Sequence, residues 1–369
     1  MNNAVNLIAS DTLGELKGLV AMGHKINVCY GAGVDSTAML VLLHREGIRP
    51  DLITFADTGG EKPETYEQVD LMNSWLQQIG WPLIEVCKLR TTRVYDDLAG
   101  NCLDNETLPS LAMGKKGCSV KWKQGPQDNF LKGVNAKWGS LENLPSNAAN
   151  YAPVHPFWTE SQETGRKIVK LIGYDNGKAD IRRSGKMKTE DKDFIYNYPL
   201  QDVGWAREQC IQAIESEGLQ VPVKSACWFC PASQKWELFW LAGKHPELLM
   251  AALEIEHKAM LGKHSHWPKD DCTYDKDWLE YVNIPRDRWP TTKITVGLGR
   301  SFAWNQWARE AGIVSPEGEF IGDRAACLAK AEELQASGGN AADTRTCGAV
   351  PAAEVEPKAA PAVVAVWDL

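Results

Sequence analysis

The sequence predicts an α/β protein: a doubly wound, mostly parallel sheet, then a smaller, mainly helical, tryptophan-rich C-terminal subdomain and a disordered tail. Three observations predict it. Strand-like and helix-like segments alternate through the first half, the pattern of parallel strands joined by crossover helices. A glycine-bearing loop at residues 31–33 separates the first strand from the helix after it. Beyond residue 200 lie ten of the 15 tryptophans, and helical periodicity replaces the alternation there.

Ile26–Tyr30 is a short β-rich run, and Thr37–Arg45 is apolar on a helical period. Asp51–Ala56 reads as a second, buried strand. Pro63-Glu64-Thr65 opens the next helix, proline being favoured in a first turn, and the helix runs to about Ile79. Leu83–Val86 is a third strand and Lys170–Gly173 a later one. Between them, residues 101–156 form a lysine-rich insertion of weak periodicity, expected to be a functional loop. Residues 1–215 make the first domain and 216–330 the helical subdomain, with helices at Trp236–Trp240 and Pro246–Met260. From 331 to 369 the chain turns Ala- and Pro-rich, which predicts disorder.

Composition narrows the function. Among the 369 residues 44% are hydrophobic and 24% charged, and no apolar run approaches the ~18 residues of a membrane span, so no membrane partner is expected. A net charge of −8 argues against wholesale coating of nucleic acid. Met1–Ser10 carries no basic stretch or cleavage pattern, and a cytoplasmic protein is expected. Its ten cysteines are then better read as metal ligands or reactive groups than as disulfides.

The loop Gly31-Ala32-Gly33-Val34-Asp35-Ser36-Thr37 follows a strand and enters a helix. Glycines let a ligand approach the backbone, and the free N–H groups of a helix's first turn favour an anion. Gly31, Gly33, Asp35, Ser36 and Thr37 are therefore candidate nucleotide-binding residues. The second strand ends in Asp57-Thr58-Gly59, placing a carboxylate and a hydroxyl where open α/β sheets bind ligands.

Together these segments resemble a known group. Gly31–Ser36 is similar to the S-G-G-x-D-S PP-loop of adenine nucleotide α-hydrolases. Asp57-Thr58-Gly59 with Pro63-Glu64-Thr65 resembles the D-T-G…P-E-T signature of phosphoadenosine phosphosulfate (PAPS) reductases. Gly173-Tyr174-Asp175…Ile181-Arg182-Arg183 resembles that family's arginine-bearing segment, and Tyr198-Pro199-Leu200…Trp205 its P-L-x-x-W stretch. The resemblance spans roughly residues 25–260, with the elements in the family's order. It implies a PP-loop fold, an adenine nucleotide (ATP, or PAPS or adenylylsulfate) with Mg2+, and catalytic roles for Asp35, Lys121, Arg182 and Arg183.

Cys227-Trp228-Phe229-Cys230-Pro231 is a C-x-x-C-P, a spacing that suits a shared metal or cluster and also a redox dithiol. The segment Gly117-Cys118…Lys123…Pro126 resembles the C-C-x-x-R-K-x-x-P motif of iron–sulfur members such as adenylylsulfate reductases and DndC-like DNA sulfur-modification proteins. By that resemblance Cys118, Cys227 and Cys230 would hold a [4Fe–4S] cluster, with one iron free for substrate or sulfide or a fourth ligand from Cys102, Cys210 or Cys272, and with zinc as the alternative. Cys29, Cys87 and Cys327 read as small buried hydrophobes. Lysines at 115, 116, 121, 123, 132 and 137, and eight basic residues within 165–188, suggest a cationic lid over phosphates, or a groove for nucleic acid as substrate.

Two chemistries fit this reading. ATP is cleaved to AMP and pyrophosphate to activate a substrate for sulfur transfer, or a sulfonucleotide is reduced to sulfite. The sulfur or electron donor is unknown in either case. Thioredoxin-dependent reductases of the family carry an E-C-G-[LI]-H nucleophile. Here only Thr346-Cys347-Gly348-Ala349 approximates it, without the acid or the histidine, which favours ATP cleavage. A nucleotide- or nucleic-acid-binding module without turnover is the reading of another class.

Overall fold

The computed structural model describes residues 13–89, 94–133, 154–261, 297–299 and 302–337. The α/β part runs α1 (Gly14–Ala21), β1 (Ile26–Tyr30), α2 (Val34–Arg45), β2 (Leu52–Asp57), α3 (Pro63–Gln78) and β3 (Ile84–Lys88). It continues through α4 (Leu98–Asp104), α5 (Gly125–Lys132), α6 (Pro156–Thr164), β4 (Ile168–Ile172), α7 (Lys178–Ser184), β5 (Phe194–Asn197), α8 (Pro199–Asp202) and α9 (Arg207–Ser216). The helical part holds α10 (Lys235–Lys244), α11 (Pro246–Leu261), α12 (Trp304–Glu310) and α13 (Arg324–Ala336).

The five strands form one sheet in the order β3-β2-β1-β4-β5, every neighbouring pair parallel. The fold class read from the sequence is therefore the observed one. Chain direction across the sheet reverses between β1 and β4, and ligands of doubly wound sheets bind at the carboxyl ends of the strands at that reversal. β2 is buried along its whole length, which is why it reads as an unbroken apolar run. α2 covers the sheet with an almost entirely buried Val34–Leu43. No described helix is long and apolar enough to cross a membrane.

Three differences from the sequence reading have physical causes. β5 went unpredicted because its four residues lie among Lys192, Asp193 and Tyr198, with only Phe194 and Asn197 buried. The described part of the lysine-rich insertion is helical: a 3-10 turn at Ser110–Met113 and a π-helix at Cys118–Gln124 lead into α5. Its apolar residues Cys102, Leu108, Ala112 and Trp122 pack into the core of the helical part, with Phe229, Leu238 and Trp304, while Leu131 packs against Leu52, Ile168 and Phe194 of the sheet. Third, residues 331–336, assigned to the tail by composition, complete α13, where Ala331 and Leu334 are buried. Residues 338–369 lie outside the described residues.

A buried carboxylate organises the helical part. Glu256 on α11 is 0% exposed and accepts N–H groups from Leu298, Trp304 (2.9 Å) and Asn305 (2.7 Å) and the Asn305 side-chain amide (2.8 Å). Burial pushes its pKa up, and those four donors work against the rise.

Candidate functional site

The loop after β1 delivers the chain into α2 with Gly33 as an extended N-cap. The first helical bond is Thr37 N–H to Gly33 C=O at 3.0 Å, so the N–H groups of Val34, Asp35 and Ser36 have no carbonyl partner within the helix. Together with the helix dipole they form an anion-accepting end. The Ser36 hydroxyl donates to Gly33 C=O (3.1 Å) and accepts from Gly33 N–H (3.3 Å), which fixes the loop. Thr37 is buried, its hydroxyl 3.1 Å from that of buried Tyr30, so it braces the loop from the core side. Ala32 adopts φ +54°. That left-handed conformation costs an alanine ~1–2 kcal/mol and a glycine almost nothing, so the strain at Ala32 is a local expense of the loop's shape.

Gly173 follows β4 and presses against this loop. A Cβ built on it would lie 2.8 Å from Ser36 Cα and 2.9 Å from Ser36 N. Only glycine lets the β4 end approach the first turn of α2 so closely. Beyond it Tyr174 stacks on Tyr198 at 5.7 Å, and Asp175 accepts Gly177 N–H at 2.8 Å. On α7, Arg183 pairs with Asp180 at 2.7 Å and Arg182 is exposed. Asp35 meets Arg207, the first residue of α9, at 2.7 Å. Burial pushes the Asp35 pKa up, Arg207 opposes that, and Asp175 and Asp180 add to it.

At the end of β2, Asp57 accepts Gly59 N–H (2.7 Å) and the Tyr66 hydroxyl (2.8 Å) and pairs with Lys88 (3.1 Å). Thr58 donates to Glu61 Oε1 (3.1 Å), accepts Gly60 N–H (3.3 Å) and lies 3.1 Å from Cys227 Sγ. A second chain segment crosses here. Ser225 sits against Gly33, whose absent Cβ would be 2.8 Å from the Ser225 hydroxyl, and Glu61 bridges to Cys227. Residues 225–227 thus link the phosphate loop to the end of β2.

Cys227 and Cys230 lie among charges. Lys123 Nζ is 3.0 Å from Glu61 Oε1, and Cys227 Sγ is 3.6 Å from the same oxygen. Burial pushes both thiols above the ordinary cysteine range; Glu61 adds to this at Cys227, and Lys123 lowers both. Burial works to lower the Lys123 pKa, but the adjacent Glu61 carboxylate holds it raised, so the ammonium stays charged. Glu61 Oε2 is buried and has no hydrogen-bond partner among the described residues.

These residues do not fit a preformed three-cysteine site. Cys118, the first residue of the π-helix, keeps its Sγ 3.4 Å from the Ser110 hydroxyl, with Cys102 as its cysteine neighbour. Cys210 is buried in the sheet-side core on α9, and Cys272 lies outside the described residues. Among the described residues no three His, Cys, Asp or Glu side chains are grouped to hold a metal ion. Cys227 is buried and Cys230 half-buried, and protonated thiols are poor nucleophiles. In chelator-treated native protein near neutral pH, iodoacetamide is expected to leave Cys227 unmodified and to modify Cys230 slowly. Peptide mass spectrometry showing rapid alkylation of Cys227 would contradict its burial and favour a redox dithiol.

Gly31, Gly33, Asp35, Ser36 and Gly173 thus fall at the crevice between β1 and β4, with Asp57, Thr58 and Gly59 beside it at the end of β2; Arg183 is linked to it through Asp180, and Arg182 is exposed on α7. Lys121 does not join them: its ammonium lies over the Trp122 ring at 5.3 Å, while Lys123, two residues on, reaches Glu61. Sequence reasoning missed Glu61, Arg207 and Ser225, and gave Lys123 only as one lysine of a cationic lid. The lysine in the Cys118…Pro126 motif was the available signal for Lys123. Arg207 and Ser225 belong to no motif, and only the fold brings them near residues 33–35.

No model of a known protein family matches the chain, and no curated protein matches it either. A solved structure titled as a phosphoadenylyl-sulfate (PAPS) reductase from Candida auris, phosphate complex, is similar over 60% of this chain and 91% of that one. Its identity is 14% and its TM-score 0.36, a likeness too loose to carry an argument about chemistry.

Proposed function

We propose that the chain binds an adenine nucleotide with its phosphates on the N-terminal turn of α2, and that it cleaves Mg2+-ATP to AMP and pyrophosphate to activate a substrate for sulfur transfer. One observation carries the reading: the glycine loop and the free N–H groups of residues 34–36 open at the reversal of the sheet, held by Gly173 against Ser36. In this chemistry a substrate oxygen attacks the α-phosphorus, the bond to the β-phosphate oxygen breaks, and pyrophosphate leaves with the electron pair. A reduced sulfur donor later displaces AMP from the adenylated substrate. The α2 N-terminus stabilises charge on the phosphates, and Arg182 and Arg183 on α7 supply cations at the mouth of the crevice.

An iron–sulfur cluster or zinc would take Cys118, Cys227 and Cys230 as ligands only if Cys118 moved to join the other two, since among the described residues they are not grouped. Bound iron or zinc, lost in each of the three Cys→Ala variants, is the measurement that would establish such a site.

The activity test is product analysis. Incubation with Mg2+-ATP, sulfide and nucleic acid as acceptor is expected to give AMP and pyrophosphate, and PAPS or adenylylsulfate with thioredoxin no sulfite. Robust sulfite release that disappears in Cys347→Ser would overturn the choice; Cys347 lies outside the described residues.

A further inference from the structure

The helices α2 and α9 lie side by side and run in the same direction. At one end Asp35 pairs with Arg207, the first residue of α9. At the other, Arg45 of α2 reaches Ala213 C=O (3.2 Å), Glu217 (3.1 Å) and the Ser216 hydroxyl near the end of α9. Two helix N-termini therefore open at the same end of the sheet, and both favour an anion there. Arg207 opposes the local preference, because a cation in the first turn of a helix meets the positive end of its dipole. The carboxylates at this end include Asp35, Asp175 and Asp180, with Glu208 beside Arg207 in the first turn of α9, and Asp180 is already paired with Arg183.

The Arg207–Asp35 contact is weakly held. The arginine side chain is 51% exposed and the aspartate 25%, and exposed ion pairs exchange readily. Asp35 engages one nitrogen, Nη1, of a guanidinium that carries five N–H donors. A phosphate offers that fork a bidentate acceptor, the stronger partner.

We propose that Arg207 is a phosphate ligand of the nucleotide site: its guanidinium rests on Asp35 and passes to a phosphate oxygen when the nucleotide docks. The Asp35 carboxylate would then be free to hold the nucleotide's Mg2+. Arg207 lies outside every motif by which the site was recognised, and the proposal rests on the nucleotide reading above.

A double-mutant cycle tests it, with calorimetric titration of the full chain by Mg2+-ATP for the wild type, Arg207→Ala, Asp35→Asn and the double variant. Arg207→Ala is expected to weaken binding at least tenfold, and by a similar factor on the Asp35→Asn background. Arg207→Lys, which keeps the charge without the fork, should fall between. If Arg207→Ala costs nothing once Asp35 is Asn, the arginine only neutralises that carboxylate and the proposal is wrong. A wild type that does not bind ATP overturns the nucleotide reading as well, so the two failures are distinct. Unchanged far-ultraviolet dichroism in each variant excludes misfolding as the cause of weak binding.

Discussion

Replacing Glu237 by alanine is expected to cost about 3–5 kcal/mol of stability, the scale for removing one partner of a buried ion pair. The Glu237 side chain is 1% exposed and accepts Gln234 N–H at 2.9 Å and Lys224 Nζ at 2.6 Å. Its other oxygen stands 3.6 Å from Lys62 Nζ, itself only 6% exposed. Burial lowers the Lys62 pKa and Glu237 counters it, so alanine would leave an ammonium in the interior with Lys224 C=O (3.2 Å) and the Trp240 ring as its neighbours. The pair ties the N-cap of α3 to the first turn of α10, and so holds segment 224–230 over the end of β2. Urea denaturation is the measurement. The double variant Lys62→Met/Glu237→Leu should recover most of the loss, since well-packed apolar replacements of a buried pair are often near neutral. A single alanine variant within ~1 kcal/mol of the wild type would show that the pair is not buried as described.

Gly173→Ala is expected to be the next largest effect, and the more revealing about function. The new methyl group would meet Ser36 Cα at 2.8 Å, Ser36 N at 2.9 Å and the Asp35 carbonyl carbon at 3.1 Å, all of them backbone. No side chain can rotate away, so β4 and α2 must separate. Overpacking of this kind costs roughly 1–3 kcal/mol. The displaced group is an N–H of the proposed phosphate cradle, so ATP affinity should fall more than stability does. A lowered melting temperature with much-reduced ATP binding is the expected pair of results; unchanged binding would separate Gly173 from the site.

Much of the phosphate-loop region was legible in the sequence because its signals are local. Ile26–Tyr30, the loop and the apolar Val34–Leu43 are contiguous, and each obeys a simple period. The end of β2 was legible for the same reason, through Asp57-Thr58-Gly59 and the proline that starts α3. The rest is long-range. Arg207 meets Asp35 across 172 positions, Lys123 meets Glu61 across 62, and Cys227 meets Glu61 across 166. No period or spacing encodes such pairs; they arise only once the sheet order has brought distant segments together. The π-helix at 118–124 shows the same limit, because its lysines look equivalent until the turn commits Lys123 to Glu61 and Lys121 to Trp122.

The most direct measurement of the central claim is calorimetric titration of the full chain with Mg2+-ATP, repeated for Ser36→Ala and Asp35→Ala. Ser36→Ala removes the hydroxyl that braces Gly33, and Asp35→Ala removes the carboxylate that would hold the nucleotide's Mg2+ once Arg207 has passed to a phosphate. Both changes lie in the first turn of α2, where the fold itself does not depend on them. A wild type that binds ATP, with affinity at least about tenfold weaker in each folded variant, is the predicted result, on the scale of one charge-assisted hydrogen bond. Equal affinity in all three proteins would contradict the assignment of the nucleotide's phosphates to this loop.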